Sequence, residues 1–259
     1  MNFYRFFRSL LPSELSIPAN LGQWILTSLG YYRFRTRIAS KGAPNVDVNL
    51  YRPLYVPWEG EPEFRRLYAA IAPHTMVSAD RCWILLHLMR HALALSGDFA
   101  EFGVFRGGTA LLTAQVLGEA GDRRLLHLFD SFAGMPKTSA NESFSQGDFA
   151  ETSEAAVRQL VAPTGANVEF HVGYIPDTFQ GLKIDQFAFA YVDVDLYQSV
   201  LDCVEFAYPR LVPGGILLFD DYGFPSCARA REAVDLAFAQ RREKPIYLPT
   251  GQAMVIKLP

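Results

Sequence analysis

From residue 98 onward, short apolar runs alternate with longer stretches of mixed polarity. The runs at 98–104, 124–129, 167–172, 186–192 and 214–219 are predicted strands, and 108–119, 152–161, 197–209 and 226–240 are predicted helices. Such alternation implies parallel βαβ units and hence a doubly wound α/β sheet. The tail breaks the pattern. Stretches 245–248 and 252–258 flank Pro249-Thr250-Gly251 and read as a hairpin, which adds an antiparallel strand to the end of the sheet. Upstream, 62–72 and 78–96 read as helices, the second with apolar spacing through Trp83, Leu85, Leu86, Leu88 and Met89. Residues 1–60 are irregular and rich in aromatics and proline. The expected organisation is an arm over 1–60, a helical lid or cap segment over 61–97 and the α/β domain over 98–259.

Two apolar runs end abruptly in carboxylates: FAFAYV is followed by Asp193 and Asp195, and GGILLF by Asp220 and Asp221. Buried parallel strands read as such runs, and ligands sit outside their carboxyl ends. Crowded carboxylates raise each other's pKa unless a cation neutralises them, and Mg²⁺ is the simplest hard occupant.

The first strand-to-helix turn contains Glu101, Gly103, Phe105, Gly107 and Gly108. Glycine lets backbone approach a ligand closely. Asp130-Ser131-Phe132 then closes the second strand about 20 residues further on, where an acidic group can accept from ribose hydroxyls. The turn matches neither the dinucleotide fingerprint nor a P-loop. A glycine turn without a phosphate pattern suits S-adenosylmethionine, with Glu101 toward its ammonium and Asp130 toward its ribose. Singly, each feature fits a tight turn or loop cap equally well; together they favour the cofactor.

A chain of 259 residues, half of them apolar, can bury the core of one α/β domain with an appendage. The net charge of −3 argues against a nucleic-acid-binding surface. Charge is uneven, however: Arg5, Arg8, Arg33, Arg35, Arg37 and Lys41 stand against Glu14 alone within residues 1–41, with aromatics interleaved. This arm has the composition to touch an acidic membrane surface, but packing on its own chain or a second subunit is favoured, and a homo-oligomer is expected. Cys82, Cys203 and Cys227 are widely spaced and suit a reducing compartment. The N-terminus lacks a signal-peptide pattern, so a cytoplasmic location is expected. His87 and His91 are spaced as a helical metal pair but lie in apolar packing, and His127 and His171 are expected to be structural; His74 adjoins the Thr75-Met76 segment.

Several longer stretches resemble the macrocin O-methyltransferase (TylF-type) family of S-adenosylmethionine-dependent enzymes. They are Thr75–Ser78 with Arg81, Glu101–Gly108, Leu128–Gly134, Gly173–Thr178, Val192–Tyr197 and Gly214–Gly223, in the family's order from about residue 62 to the C-terminus. The resemblance implies a Rossmann-like class I methyltransferase fold and Mg²⁺-dependent methyl transfer to a small-molecule hydroxyl, typically on a sugar of a glycosylated natural product. It implies Asp193, Asp220 and Asp221 as metal ligands and Asp195 as general base. It also implies cofactor contacts from Thr75, Met76 and Ser78, from Glu101, Gly103, Phe105 and Gly107, from Asp130, Ser131 and Phe132, and from Gly173, Tyr174 and Ile175. Phe105 stands where the family often has Trp, which keeps an aromatic wall. Residues 1–60 match no part of the family pattern, and the acceptor pocket draws on such N-terminal segments. A lipid-linked or polysaccharide sugar is therefore an alternative acceptor, and a non-catalytic nucleoside-binding module is a third reading. Tyr197 and Gln198 are candidates for lining the acceptor pocket.

Overall fold

A computed structural model describes residues 56–259; the expectations for the basic stretch 1–41, with its membrane and subunit contacts, lie outside the described residues. The strands are β1 (Asp98–Phe102), β2 (Leu125–Asp130), β3 (Asn167–Val172), β4 (Phe187–Val192), β5 (Leu211–Phe219), β6 (Ile246–Tyr247) and β7 (Ala253–Ile256). The helices are α1 (Pro57–Gly60), α2 (Pro62–Ile71), α3 (Ala79–Ala92), α4 (Gly108–Glu119), α5 (Glu154–Val161), α6 (Tyr197–Ala207) and α7 (Ala228–Phe238).

The strands form one sheet in the order β3-β2-β1-β4-β5-β7-β6. Pairing is parallel from β3 through β5, and β7 runs antiparallel to both β5 and β6. The tail thus forms the hairpin read from its turn residues. Strand order reverses between β1 and β4, and a crevice for ligands opens outside the carboxyl ends at such a switch point.

Helices cover both faces. On one face Phe64, Leu67, Leu85, Met89, Leu112 and Val157, from α2, α3, α4 and α5, pack against Phe99, Leu126 and Phe189. On the other, Val200, Val204, Ala233, Val234 and Phe238 of α6 and α7 pack against Phe102, Phe129 and Val192. Every residue of β4 is buried, as its unbroken apolar run requires of a central strand.

Some boundaries differ from the periodicity. Helix α3 ends at Ala92, not at 96, because Arg124 draws the carbonyls of Leu93 and Gly97 into its guanidinium at 3.1 Å each. Strand β5 begins at Leu211, through Pro213-Gly214-Gly215, not at 214. Leu211 pairs with Phe187 and Ile216 with Phe189, so a bulge absorbs the residues that read as loop. None of the described helices is long and apolar enough to cross a membrane.

Candidate active site

A cavity of about 380 Å³ lies over the carboxyl ends of β1 to β5. Of the residues expected at a site, Thr75, Met76, Gly103, Phe105, Asp130, Ser131, Gly173, Tyr174, Ile175, Asp193, Asp195, Asp220 and Asp221 line it. His74 and Arg81 line it too. Ser78, Glu101, Gly107 and Phe132 do not.

The glycine turn is built by Asp130. Its Oδ2 accepts from the backbone N–H of Val104 (2.7 Å) and Phe105 (2.9 Å), and its Oδ1 from the N–H of Phe132 (2.7 Å). The acid expected to meet a ribose therefore also clamps the turn between β1 and α4, with Oδ1 keeping an unused lone pair. Phe105 and Phe132 are held at φ of 51° and 50°, a region that non-glycine residues adopt at a cost and that clusters at functional sites. Gly103 is required by packing: at φ +86° an added Cβ would lie 1.8 Å from the Asp193 carbonyl oxygen. Gly107 similarly leaves room for Val157, which an added Cβ would approach to 2.8 Å.

Glu101 lies one hydrogen bond behind the wall. It is buried, its Oε1 accepts from the Thr109 hydroxyl at 2.7 Å, and Thr109 lines the cavity. Its Oε2 is a buried oxygen without a hydrogen-bond partner among the described residues. Burial pushes the carboxyl up to about 8. A buried acid with an unanswered oxygen fits a cationic group in the adjoining cavity.

On the β4 and β5 side, carboxylate oxygens of Asp193, Asp220 and Asp221 lie within 4.8 Å of one another. Oxygens of Asp195 and Asp221 and the Cys227 sulfur form an adjoining group of the same span. Asp220 pairs with the Arg81 guanidinium, and its Oδ1 accepts from Gln252 Nε2 at 2.9 Å. Tyr191 donates its hydroxyl to Asp193 at 3.4 Å, and the Asp195 N–H donates to Asp221 Oδ2 at 3.0 Å. Burial and mutual repulsion hold Asp193 and Asp221 well above the usual carboxylate range. Burial also pushes Asp195 up to about 6, against the Cys227 thiol, which donates to it at 3.3 Å. One guanidinium facing four carboxylates leaves a site short of positive charge, and an all-oxygen cluster of this kind fits a hard divalent cation.

Asp195 does not cap α6, whose N-cap is Leu196 without a side-chain bond. Strand β4 has ended at Val192, and a φ of 58° at Asp195 turns its carboxyl beside Asp221 and Cys227. Ser78, at the N-cap of α3, accepts from Arg81 Nε at 3.1 Å and so positions the guanidinium. Tyr197 and Gln198 do not line the cavity: Arg229 stacks on the Tyr197 ring and Gln198 bonds Asp202. His87 packs on the Trp83 ring at 4.1 Å, as expected of a packing residue. Arg81, Tyr191, Gln252 and Cys227 surround the acids but carry no local signal of that role; only Arg81 fell within a family-like stretch. Met135, Phe144, Phe149 and Phe224 add apolar wall, and Phe149 meets Phe105 edge to face at 5.6 Å.

Residues 69–246 match the Macrocin-O-methyltransferase (TylF) family. The 8-demethyl-8-(2,3-dimethoxy-alpha-L-rhamnosyl)-tetracenomycin-C 4'-O-methyltransferase of Streptomyces olivaceus is 32% identical over 192 residues, 67% of this chain and 73% of that protein. Mycinamicin III 3''-O-methyltransferase of Micromonospora griseorubida is 32% identical over 183 residues, 64% of this chain and 70% of that protein. Among solved structures, the O-methyltransferase NovP superposes with a TM-score of 0.65 at 26% identity, covering 72% of this chain and 83% of its own. The calicheamicin methyltransferase CalS11 shares the fold at a TM-score of 0.55 and 19% identity, covering 83% of this chain and 98% of its own. With the family match spanning more than half its length and the seven-stranded sheet to carry it, this chain belongs to the macrocin O-methyltransferase family.

Proposed function

We propose that this protein is an S-adenosylmethionine- and Mg²⁺-dependent O-methyltransferase acting on a sugar hydroxyl of a glycosylated natural product. The observation that carries the reading is the placement of three mutually close carboxylates in the same cavity as the Asp130-clamped glycine turn. The two relatives at 32% identity are named for methyl transfer to such glycosides, which supports the acceptor class.

S-adenosylmethionine supplies an electrophilic methyl group, so the chemistry left to the protein is to position and activate the alcohol. Glu101, behind Thr109, provides a buried carboxyl that would ionise against the cofactor ammonium, and Asp130 Oδ1 would accept from its ribose. Thr75, Met76 and the Gly173–Ile175 segment close the remaining walls. Asp193, Asp220 and Asp221 would hold Mg²⁺, which supplies Lewis acidity beside the acceptor hydroxyl. Asp195 accepts the hydroxyl proton; a carboxyl pushed up to about 6 is largely ionised at neutral pH yet more basic than an exposed aspartate. Arg81 offsets part of the charge on Asp220. Phe105, Phe144, Phe149 and Met135 exclude water, and holding donor and acceptor in line lowers the entropic barrier.

The test is to incubate the protein with methyl-labelled S-adenosylmethionine, Mg²⁺ and a panel of deoxysugar glycosides. Label transfer to a sugar oxygen of at least one is expected. Failure to bind S-adenosylhomocysteine in calorimetry would overturn the reading whatever the acceptor.

A further inference from the structure

A second cluster of ligating side chains lies away from the cavity, on the edge of the sheet. The parallel register of β2 and β3 sets His127 opposite Glu169 and Phe129 opposite His171. Residues two apart on a strand share a face, so His127, Glu169 and His171 project together. Both histidines are buried and Glu169 is exposed. None of the three lines the cavity of the methyl-transfer site.

Their spacing is that of a ligand set. His127 Nδ1 shares a hydrogen bond with His171 Nε2 at 3.0 Å and stands 3.7 Å from a Glu169 carboxylate oxygen, and ligand atoms of the three residues fall within 4.8 Å of one another. Two ligands held about 2.1 Å from one ion lie about 3.0 Å apart at a right angle and about 3.4 Å apart at the tetrahedral angle. His127 Nε2 faces Asp98 Oδ2 at 3.4 Å; donating there makes Nδ1 the acceptor of the hydrogen bond it shares with His171 Nε2, a proton that a bound metal would replace. An imidazole that ligates through one nitrogen while donating the other N–H to a carboxylate is the usual arrangement around a protein-bound metal. His171 is held in place by the Phe129 ring stacked on it at 4.3 Å.

The geometry points to a transition-metal site on β2 and β3, in which His127, His171 and Glu169 take Zn²⁺ or an ion of its class. Two imidazoles and one carboxylate favour such an ion over Mg²⁺. Strand β3 is the outer strand of the sheet, and bound metal staples it to β2 immediately before the Gly173–Ile175 segment.

Co²⁺ titrated into the full chain in excess Mg²⁺ tests the assignment, since the acid cluster is then occupied. One further equivalent is expected, with the visible absorption of imidazole-ligated Co²⁺, displaced by Zn²⁺. At a hundredfold excess over Kd it should raise the melting midpoint by about 5 °C. His171→Gln should abolish the band, Glu169→Gln should weaken binding at least tenfold, and Asp193→Asn should leave both untouched. Glu169 is exposed, so its variant folds and decides the matter alone if His171→Gln does not. Unchanged affinity and spectrum in Glu169→Gln, or no Co²⁺ bound beside saturating Mg²⁺, overturns the site.

Discussion

Replacing Glu101 by Gln should make the ligand-free protein more stable while impairing cofactor binding. Burial pushes the Glu101 carboxyl from 4.5 up to about 8, against the Thr109 hydrogen bond, which favours the ionised form. Below the lower value both folded and unfolded chains hold the proton, and the site costs nothing. Between the two values the unfolded chain releases its proton while the folded chain keeps it. Stability therefore falls as pH rises, by about 1.4 kcal/mol per unit. At pH 7 the accumulated cost is about 3 kcal/mol, and it levels off only above the folded value. Glutamine retains the oxygen that accepts from Thr109 and has no proton to lose; its amide N–H replaces the protonated O–H, so neither side chain gains a partner. The variant should thus melt higher than the parent at pH 7, by roughly 6–12 °C, and the gap should shrink toward zero near pH 4.5. Its affinity for S-adenosylhomocysteine should drop at least tenfold, because glutamine cannot ionise against the ammonium as the Glu101 carboxyl is proposed to do on binding. Melting curves across pH 5 to 8 in dilute buffer, with calorimetry at pH 7, read both effects. A variant less stable than the parent at pH 7, or a gap that does not widen with pH, would refute the reasoning.

Two further predictions concern the acid cluster. Asp195→Asn should bind S-adenosylhomocysteine and divalent metal as the parent does but lose roughly 10²–10⁴ in turnover, measured with labelled methyl donor; undiminished turnover removes Asp195 as the base. Arg81→Ala leaves the buried Asp220 without its cation and should cost about 3–5 kcal/mol in chelator. Added Mg²⁺ should recover much of that loss in the melting curve, whereas equal destabilisation with and without Mg²⁺ would separate Arg81 from the metal site.

Chain pattern carried the frame of the fold because its signals are local. The unbroken FAFAYV run is a central strand with every residue buried, and Pro249-Thr250-Gly251 joins the antiparallel pair at the sheet edge. Strand β5 was shortened in the sequence reading because Pro213-Gly214-Gly215 has loop chemistry, and only pairing with Phe187 across a bulge draws that segment into the sheet. The acids were legible as strand-end carboxylates, but their mutual arrangement was not. Asp195 reaches its place through a left-handed backbone angle, and the groups around the cluster come from distant segments: Arg81 from α3, Gln252 from the last hairpin and Cys227 from the turn before α7. Nothing local marks these residues, because each is ordinary in its own window. Glycine at residue 103 is also required by the Asp193 carbonyl, a close approach from a distant strand end that pattern does not reveal. Asp130 carries two tasks at once, and its clamp on the turn depends on backbone N–H groups that pattern reading does not place.

The central claim is that Asp193, Asp220 and Asp221 form a hard-metal site. Electron paramagnetic resonance of Mn²⁺ titrated into the protein measures it without knowledge of the acceptor. The account requires one Mg²⁺-competed Mn²⁺ per chain, lost on Asp193→Asn with Asp220→Asn, while S-adenosylhomocysteine still binds. Mg²⁺-competed Mn²⁺ binding that survives both substitutions, or none in the parent protein, would contradict it.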